Sequence, residues 1–166
     1  GTLVQGVRNR TTYTYDTGSP NQGLDPDTGM AYGLLTDEKV YAESAGGTSQ
    51  GGTSTLTAWT VNGYDALPGD TATGWTVGAP TTGTTKDPAA AKPDITRATR
   101  YDTAGRVIET RQPSATASTD PGTRVTTYYT KAGNSPCGDK AEWAEHVCTT
   151  GPASGPLPTT RYTYNT

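Results

Sequence analysis

Short runs in which threonine and tyrosine alternate recur along this chain and constrain its fold more than any other feature. Thr11–Tyr15 reads Thr-Thr-Tyr-Thr-Tyr, and residues 53–61 alternate in the same way, with Trp59 on the face shared by Thr55 and Thr57. β-branched and aromatic residues at a period of two are typical of half-buried strands. Large aliphatic residues are few and Phe is absent, so the sequence predicts an all-β chain.

Turn-forming residues divide the chain into further predicted strands at 34–41, 74–77, 95–101, 106–111, 123–130 and 157–166. Between them we predict long Gly/Thr/Pro loops at about 17–33, 45–52, 78–93 and 114–122. One segment favours a helix: residues 139–147 contain good helix formers, with Trp143 and Val147 four positions apart. We therefore expect antiparallel hairpins with one short helix near 139–147.

Charge and hydropathy exclude two classes of protein. The formal net charge is −3, only 17% of residues are charged, and the basic residues are scattered, which argues against nucleic-acid binding. No apolar run approaches the roughly 18 residues that a membrane-spanning helix needs. The chain starts at Gly1 without a signal-like stretch, and its only Met is Met30, so we expect a fragment of a much longer chain.

A Tyr-Asp pair follows a predicted strand at three places along the chain. An Asp at a strand end can accept hydrogen bonds from backbone amides of the turn, and a nearby Gly supplies a left-handed conformation. The Tyr supplies a large amphipathic side chain for packing on a neighbouring hairpin. The residues to which we assign this structural role are Tyr15, Asp16, Tyr64, Asp65, Tyr101, Asp102, Gly105 and Arg106.

The segment 101–108, Tyr-Asp-Thr-Ala-Gly-Arg-Val-Ile, resembles the Rhs/YD-repeat family, whose consensus is Tyr-Asp-x-x-Gly-Arg followed by an aliphatic residue. The segment 137–148 is similar to an insert of long actinobacterial members. The resemblance implies that residues 1–166 are a single YD-repeat β segment, in which successive hairpins join edge to edge into a strip that spirals into a hollow shell. Related shells occur in the C subunits of Tc toxins and in teneurins.

The same resemblance implies a structural role. In Rhs proteins the shell encloses a C-terminal toxin, so the expected partners are the neighbouring YD repeats and an encapsulated toxin domain of the same protein. The expected location is a bacterial cell surface or the secreted fraction. The resemblance brings no active site with it, and we expect no enzymatic activity and no cofactor.

Cys137 and Cys148 are the only two cysteines. A disulfide between them would close a short loop and suit a surface or extracellular protein. Two reduced thiols are the plain alternative. A zinc site with His146 as a third ligand is a further alternative, although a fourth ligand is missing and no Cys-x-x-Cys pair is present.

Catalytic patterns are weak. His146 is the only histidine, and Glu142 would lie one turn away from it if the predicted helix forms. The carboxylate pairs Asp25/Asp27 and Glu142/Glu145 fit turn-capping or solvated positions better than paired-acid hydrolysis. Exposed aromatic rings stack on sugars, so a carbohydrate-binding or cell-surface adhesion module that uses Trp59 and Trp75 against cell-wall glycan is the alternative function.

Overall fold

The computed structural model describes residues 7–44, 53–134 and 136–165, and nearly all of its regular structure is strand. The strands are β1 (Val7–Tyr15), β2 (Leu35–Ser44), β3 (Ser54–Gly63), β4 (Thr82–Lys86), β5 (Ile95–Tyr101), β6 (Val107–Arg111), β7 (Thr123–Tyr128), β8 (Val147–Pro152) and β9 (Thr160–Arg161). The helical residues are the four-residue α1 (Gly74–Val77) and 3-10 turns at Asn21–Gly23 and Ala141–Trp143. The predicted all-β class is confirmed. The predicted loop at 45–52 lies outside the described residues.

The nine strands form one open antiparallel sheet whose strand order is the order of the chain. Strands that are consecutive in the chain are neighbours in the sheet, as in β1 with β2 and β7 with β8. Antiparallel neighbours need only a direct reversal of the chain, with no crossover connection. The sheet is therefore a succession of hairpins.

Contacts between residues divide the chain into two compact units. The first contains the described residues up to Asp65 together with Gly74–Thr96. The second contains Ala66–Thr73 and the residues from Arg97 onward. Each unit has its own buried side chains and its own ion pairs.

Buried side chains in both units are mainly aromatic or polar, as the scarcity of aliphatic residues requires. Tyr64 and Trp75 are buried in the first unit, and Tyr101, Tyr129 and the two cysteines in the second. Several threonines, Glu43, Glu109 and Arg111 are buried as well. Buried polar groups are tolerated only with hydrogen-bond partners, and the ion pairs of these three charged residues supply them.

Three strand or loop predictions were wrong. Of the strand expected at 157–166, the described residues form only the two-residue β9. Residues 74–77, expected as strand, form α1, because the Gly74 N–H donates to the Tyr64 carbonyl at 2.6 Å and Trp75 packs inward on the Tyr64 ring, with centroids 4.8 Å apart. The range 78–93, expected to be a loop, contains β4, which pairs with β3. The hydroxyl of the buried Thr81 donates to the Gly63 and Asp65 carbonyls.

The helical segment expected near 139–147 is a single 3-10 turn, Ala141–Trp143. Val147, predicted to extend the apolar face of a helix, instead begins β8. The chain turns away after Trp143 because Glu145 adopts a positive φ of 74° and its N–H donates to the Tyr129 carbonyl. Tertiary pairing with β7 here overrides local helix propensity.

Candidate functional site

The hairpin of β5 and β6 is closed by Asp102. Its N–H donates to the Arg106 carbonyl at 2.9 Å, and its carboxylate accepts the backbone N–H groups of Ala104 and Arg106 at 3.0 and 2.9 Å. Gly105 has a φ of 77° and donates to the Asp102 carbonyl. The carboxylate thus satisfies the amides of a tight turn, and the glycine supplies the left-handed residue that the turn requires.

Asp16 closes the hairpin of β1 and β2 in the same way. Its N–H donates to the Leu34 carbonyl at 2.9 Å, and its carboxylate accepts the N–H of Leu34 at 2.7 Å and of Gly33 at 2.8 Å. The returning residue is Leu34 rather than a neighbour in sequence, because the segment 17–33 is inserted between the two ends. The same closure therefore operates across a short turn and across a long loop.

A third hairpin, β7 with β8, has the same backbone closure without the carboxylate. The Tyr129 N–H donates to the His146 carbonyl at 2.9 Å, and Tyr128 pairs with Val147. In all three hairpins the register shifts beside the last strand pair, which places one extra residue on the returning strand. The extra residues are Thr36 in β2, Ile108 in β6 and Cys148 in β8.

Tyr64 and Asp65 have a different role. The β3–β4 hairpin is closed by the Thr81 N–H, which donates to the Gly63 carbonyl at 2.9 Å. The Asp65 carboxylate accepts the Trp75 indole N–H at 3.3 Å, and Tyr64 is buried, with its hydroxyl donating to the Leu35 carbonyl at 2.9 Å. This Tyr-Asp pair holds α1 and the aromatic side chains rather than a turn.

Arg106 ties the Asp102 turn to its surroundings. Its Nε donates to the Asp102 carboxylate at 2.7 Å, its guanidinium carbon lies 4.5 Å from the centre of the Tyr128 ring, and it also pairs with Glu145. Burial opposes ionisation of Asp102, but the bonds from Arg106 outweigh it and lower the pKa of the carboxyl. The same carboxylate raises the pKa of Arg106. The turn therefore depends on a charged pair.

Side chains from β5 and β6 form a buried ion cluster with Asp70 in the second unit. The Glu109 carboxylate accepts Arg111 Nε at 2.5 Å and an Arg100 nitrogen at 3.2 Å, and Arg100 Nε also donates to Asp70 at 2.9 Å. Ser118 Oγ lies within hydrogen-bond reach of both guanidiniums. Burial alone would raise the pKa of Glu109, but the hydrogen bonds from these donors have the larger effect, so the pKa is lower than the ordinary value.

Cys137 and Cys148 form a disulfide, so the reduced-thiol and zinc alternatives are wrong. Both residues are buried and pack with Tyr129, against which Trp143 and Tyr164 lie edge-on at centroid distances of 5.2 and 6.4 Å. The Tyr129 hydroxyl donates to the Tyr162 carbonyl at 2.8 Å. The third hairpin has Tyr129 where the other two have Asp16 and Asp102, and there the disulfide and the aromatic cluster pack against the hairpin end.

Trp59 and Trp75, the two predicted sugar platforms, differ in exposure. Trp75 is 5% exposed and packs between Tyr64 and Tyr32, which leaves Trp59 as the ring of the two that a sugar can reach. The partly buried Trp59 borders a cavity of about 280 Å³ whose other lining residues include Lys86, Lys92, Pro93 and Ile95. This cavity lies entirely within the first unit.

The other sequence candidates stay apart. The exposed His146 contacts the Ala144 carbonyl and the Tyr164 ring, while Glu142 faces Lys140. The Asp25 carboxylate accepts the N–H groups of its own turn, which lowers its pKa. Among the described residues no group of three or more His, Cys, Asp or Glu side chains could hold a metal ion. No helix in that same part of the chain is long and apolar enough to cross a membrane.

The chain matches no protein-family model, no curated protein and no solved structure.

Proposed function

We propose that the chain is a structural YD-repeat segment of a large secreted or surface Rhs protein of the polymorphic-toxin type. In this role it contributes hairpins to a shell that encloses or presents a C-terminal toxin. The observation that carries the proposal is the shared hairpin closure at Asp16, Asp102 and Tyr129, which accepts intervening segments as different as 103–105 and 130–145.

The order of the strands in the sheet supports a role in building a shell wall. Strands that follow one another in chain order add hairpins at one edge of a growing sheet, so neighbouring repeats are the natural partners of the outermost strands. Covering an edge in this way removes the unpaired N–H and C=O groups that promote aggregation. Variable loops between fixed hairpin ends change the surface of a wall without changing its register.

Small-angle X-ray scattering of the complete encoded polypeptide tests the proposal. A hollow shell places mass far from its centre, so we expect a radius of gyration well above about 2.2·N^0.38 Å, the value for a compact domain of N residues. The C-terminal region should also resist protease until the shell unfolds. A compact-globule radius together with immediate cleavage of the C-terminal region would contradict the enclosing role.

A carbohydrate-binding or adhesion function is the second candidate, and the partly buried Trp59 ring beside its cavity favours it. Cell-wall glycan fragments should quench or shift the fluorescence of Trp59, whereas Trp75 is too buried to respond. The Trp59→Phe variant assigns the signal. An unchanged spectrum at saturating glycan would exclude this candidate and leave the structural one standing.

A further inference from the structure

We propose that the Trp59 cavity binds a carboxylate-bearing pyranose, that is, a uronic-acid unit of an acidic glycan. This inference rests on the second candidate function and specifies its ligand. It depends on three features of the first unit: a fixed indole, two lysines beside that indole, and a rigid loop that ends in a further lysine.

The indole is held in one orientation. Trp59 Nε1 donates to an Asp37 carboxylate oxygen at 2.7 Å, so the ring is oriented before any ligand arrives. Fixing an aromatic side chain in advance lowers the entropy lost on binding. Its remaining exposed surface borders the cavity together with Pro93 and with Ile95, which is 49% exposed.

Two ammonium groups lie over this ring. Lys39 Nζ is 4.7 Å and Lys86 Nζ is 5.2 Å from the centroid of the Trp59 ring. A neutral sugar that stacks on the indole competes with these cations for the ring surface. A sugar with a carboxylate must also displace an ammonium group from the ring, but its carboxylate can then pair with the displaced group, so the arrangement favours an acidic unit.

The loop that follows β4 forms a rigid rim. The Asp87 carboxylate accepts the backbone N–H groups of Ala91 and Lys92, both at 2.8 Å. Lys86 is held by Asp94 at 2.7 Å and Lys39 by Asp37 at 3.3 Å. The exposed Lys92 attracts Asp87 electrostatically but forms no ion pair within 4 Å with any residue that the structure describes. Lys92 therefore supplies an available cation at the edge of the cavity.

The local charge balance limits how acidic the ligand can be. Three aspartates lie among the lysines, namely Asp37, Asp87 and Asp94. A densely sulfated chain would bring several anionic groups against these carboxylates, and like charges at close range repel. A glycan with one carboxylate per sugar ring fits this charge balance better than a densely sulfated glycan does.

Calorimetric titration with hexameric α-1,4-linked oligogalacturonate tests the inference, with maltohexaose as the neutral hexamer of the same linkage. We expect the acidic hexamer to bind about tenfold more tightly, a difference that should shrink at about 1 M NaCl because exposed charges are screened. Equal affinity for the two would overturn the acidic specificity and leave a glycan site in place. Binding of neither would overturn both, and tighter binding of a keratan sulfate hexasaccharide, which carries sulfate groups but no uronic acid, would exclude the uronate.

A lysine variant tests the same point without disturbing the indole. Lys92→Ala should weaken oligogalacturonate binding about threefold to fivefold, the size expected for one partly exposed ion pair, and leave maltohexaose binding unchanged. Lys131→Ala, which removes an exposed lysine from the second unit, is the matched control. If the two variants bind oligogalacturonate with equal affinity, the Lys92 contact is wrong.

Discussion

Asp102 and Arg106 are joined at both backbone and side chain: the Asp102 N–H donates to the Arg106 carbonyl, and the Asp102 carboxylate accepts both the backbone N–H and the Nε of Arg106. Backbone bonds fix where the chain reverses. The charged pair keeps the arginine folded over the turn, where it also covers the Tyr128 ring. The stability of this hairpin should therefore depend on the charge of Asp102 and not only on its size.

Replacing Asp102 tests that dependence. Asp102→Ala removes the acceptor of two backbone amides and the partner of Arg106, and should lower the free energy of unfolding by about 2 kcal/mol. Asp102→Asn keeps an oxygen acceptor and should lose about half as much. Urea-induced unfolding measures both, with Asp139→Ala as an exposed control in the same unit. An Asp102→Asn variant as stable as the unmodified chain would show that the charge contributes nothing.

Gly105→Val should destabilise the same hairpin by about 2 kcal/mol, since a β-branched residue is strained at a φ of 77°. Ala104→Val at the adjacent exposed position, where φ is not positive, controls for the added side chain and should change the melting temperature little. If both variants melt at the temperature of the unmodified chain, the assigned role of Gly105 is wrong.

Glu109→Gln should lower the free energy of unfolding by about 3 kcal/mol or more, because it leaves Arg100 and Arg111 without their shared anion in a buried cluster. Glu142→Gln removes a carboxylate from an exposed pair with Lys140 and should cost under about 1 kcal/mol. Chemical unfolding of the two variants gives the comparison. A loss at Glu109 no larger than at Glu142 would mean that the cluster is solvated.

Reduction of the Cys137–Cys148 disulfide should lower the free energy of unfolding by about 2–3 kcal/mol, the range expected for a loop of this length. Thermal melts with and without a reductant measure the change, and the Cys137→Ser/Cys148→Ser double variant should reproduce the reduced value. That double variant should also become insensitive to reductant. An unchanged melting temperature on full reduction would show that the Tyr129 cluster holds the segment without the bond.

Acid should destabilise the chain through its paired carboxyls. The pKa of Asp70 is lowered by its bond from Arg100, and the pKa values of Asp102 and Glu109 are lowered despite burial. A carboxyl with a lowered folded-state pKa stabilises the fold above its ordinary value, 3.8 for Asp and 4.5 for Glu, and that stabilisation is lost as the pH falls through the folded pKa.

Melting temperatures should therefore stay level from neutral pH to about pH 5 and fall below that. In Glu109→Gln the fall should be smaller, because one of the titrating groups is gone. A melting temperature that is constant down to pH 3 would contradict the lowered pKa values.

Strand positions were largely predictable because Thr, Tyr and Val at a period of two carry a local signal. The segments 95–101 and 106–111 coincide with β5 and β6 within one residue. β4 was missed because Thr-Gly-Thr-Thr-Lys offers no aliphatic alternation, and its pairing with β3 is a tertiary effect. α1 was missed because its start depends on a close approach between Gly74 and the Ala79 carbonyl, which a Cβ at position 74 would prevent. The local sequence gives no sign of that contact.

The functional residues were predictable only where chemistry is local. Asp102, Gly105 and Arg106 lie within one turn, so their roles could be read from spacing. The Trp59 cavity depends on pairing that brings Lys39 and Lys86 beside the indole from two other strands. Val40 pairs with Ala58 and Tyr41 pairs with Leu56, so Thr57 is an extra residue in β3. An extra residue exchanges the two faces of the strand on one side of it, and the alternation expected along β3 is therefore broken.

Pairing of each strand with its neighbours in sequence has a consequence for how the chain acquires its structure. None of the described strands has to wait for a partner from a distant part of the chain, although inserted segments such as 17–33 must close as loops when their hairpins form. During synthesis, β1 and β2 can pair before β5 leaves the ribosome, and each later hairpin then meets a preformed edge. The sheet can therefore be assembled in the direction of translation, which limits the time that any strand edge spends unpaired.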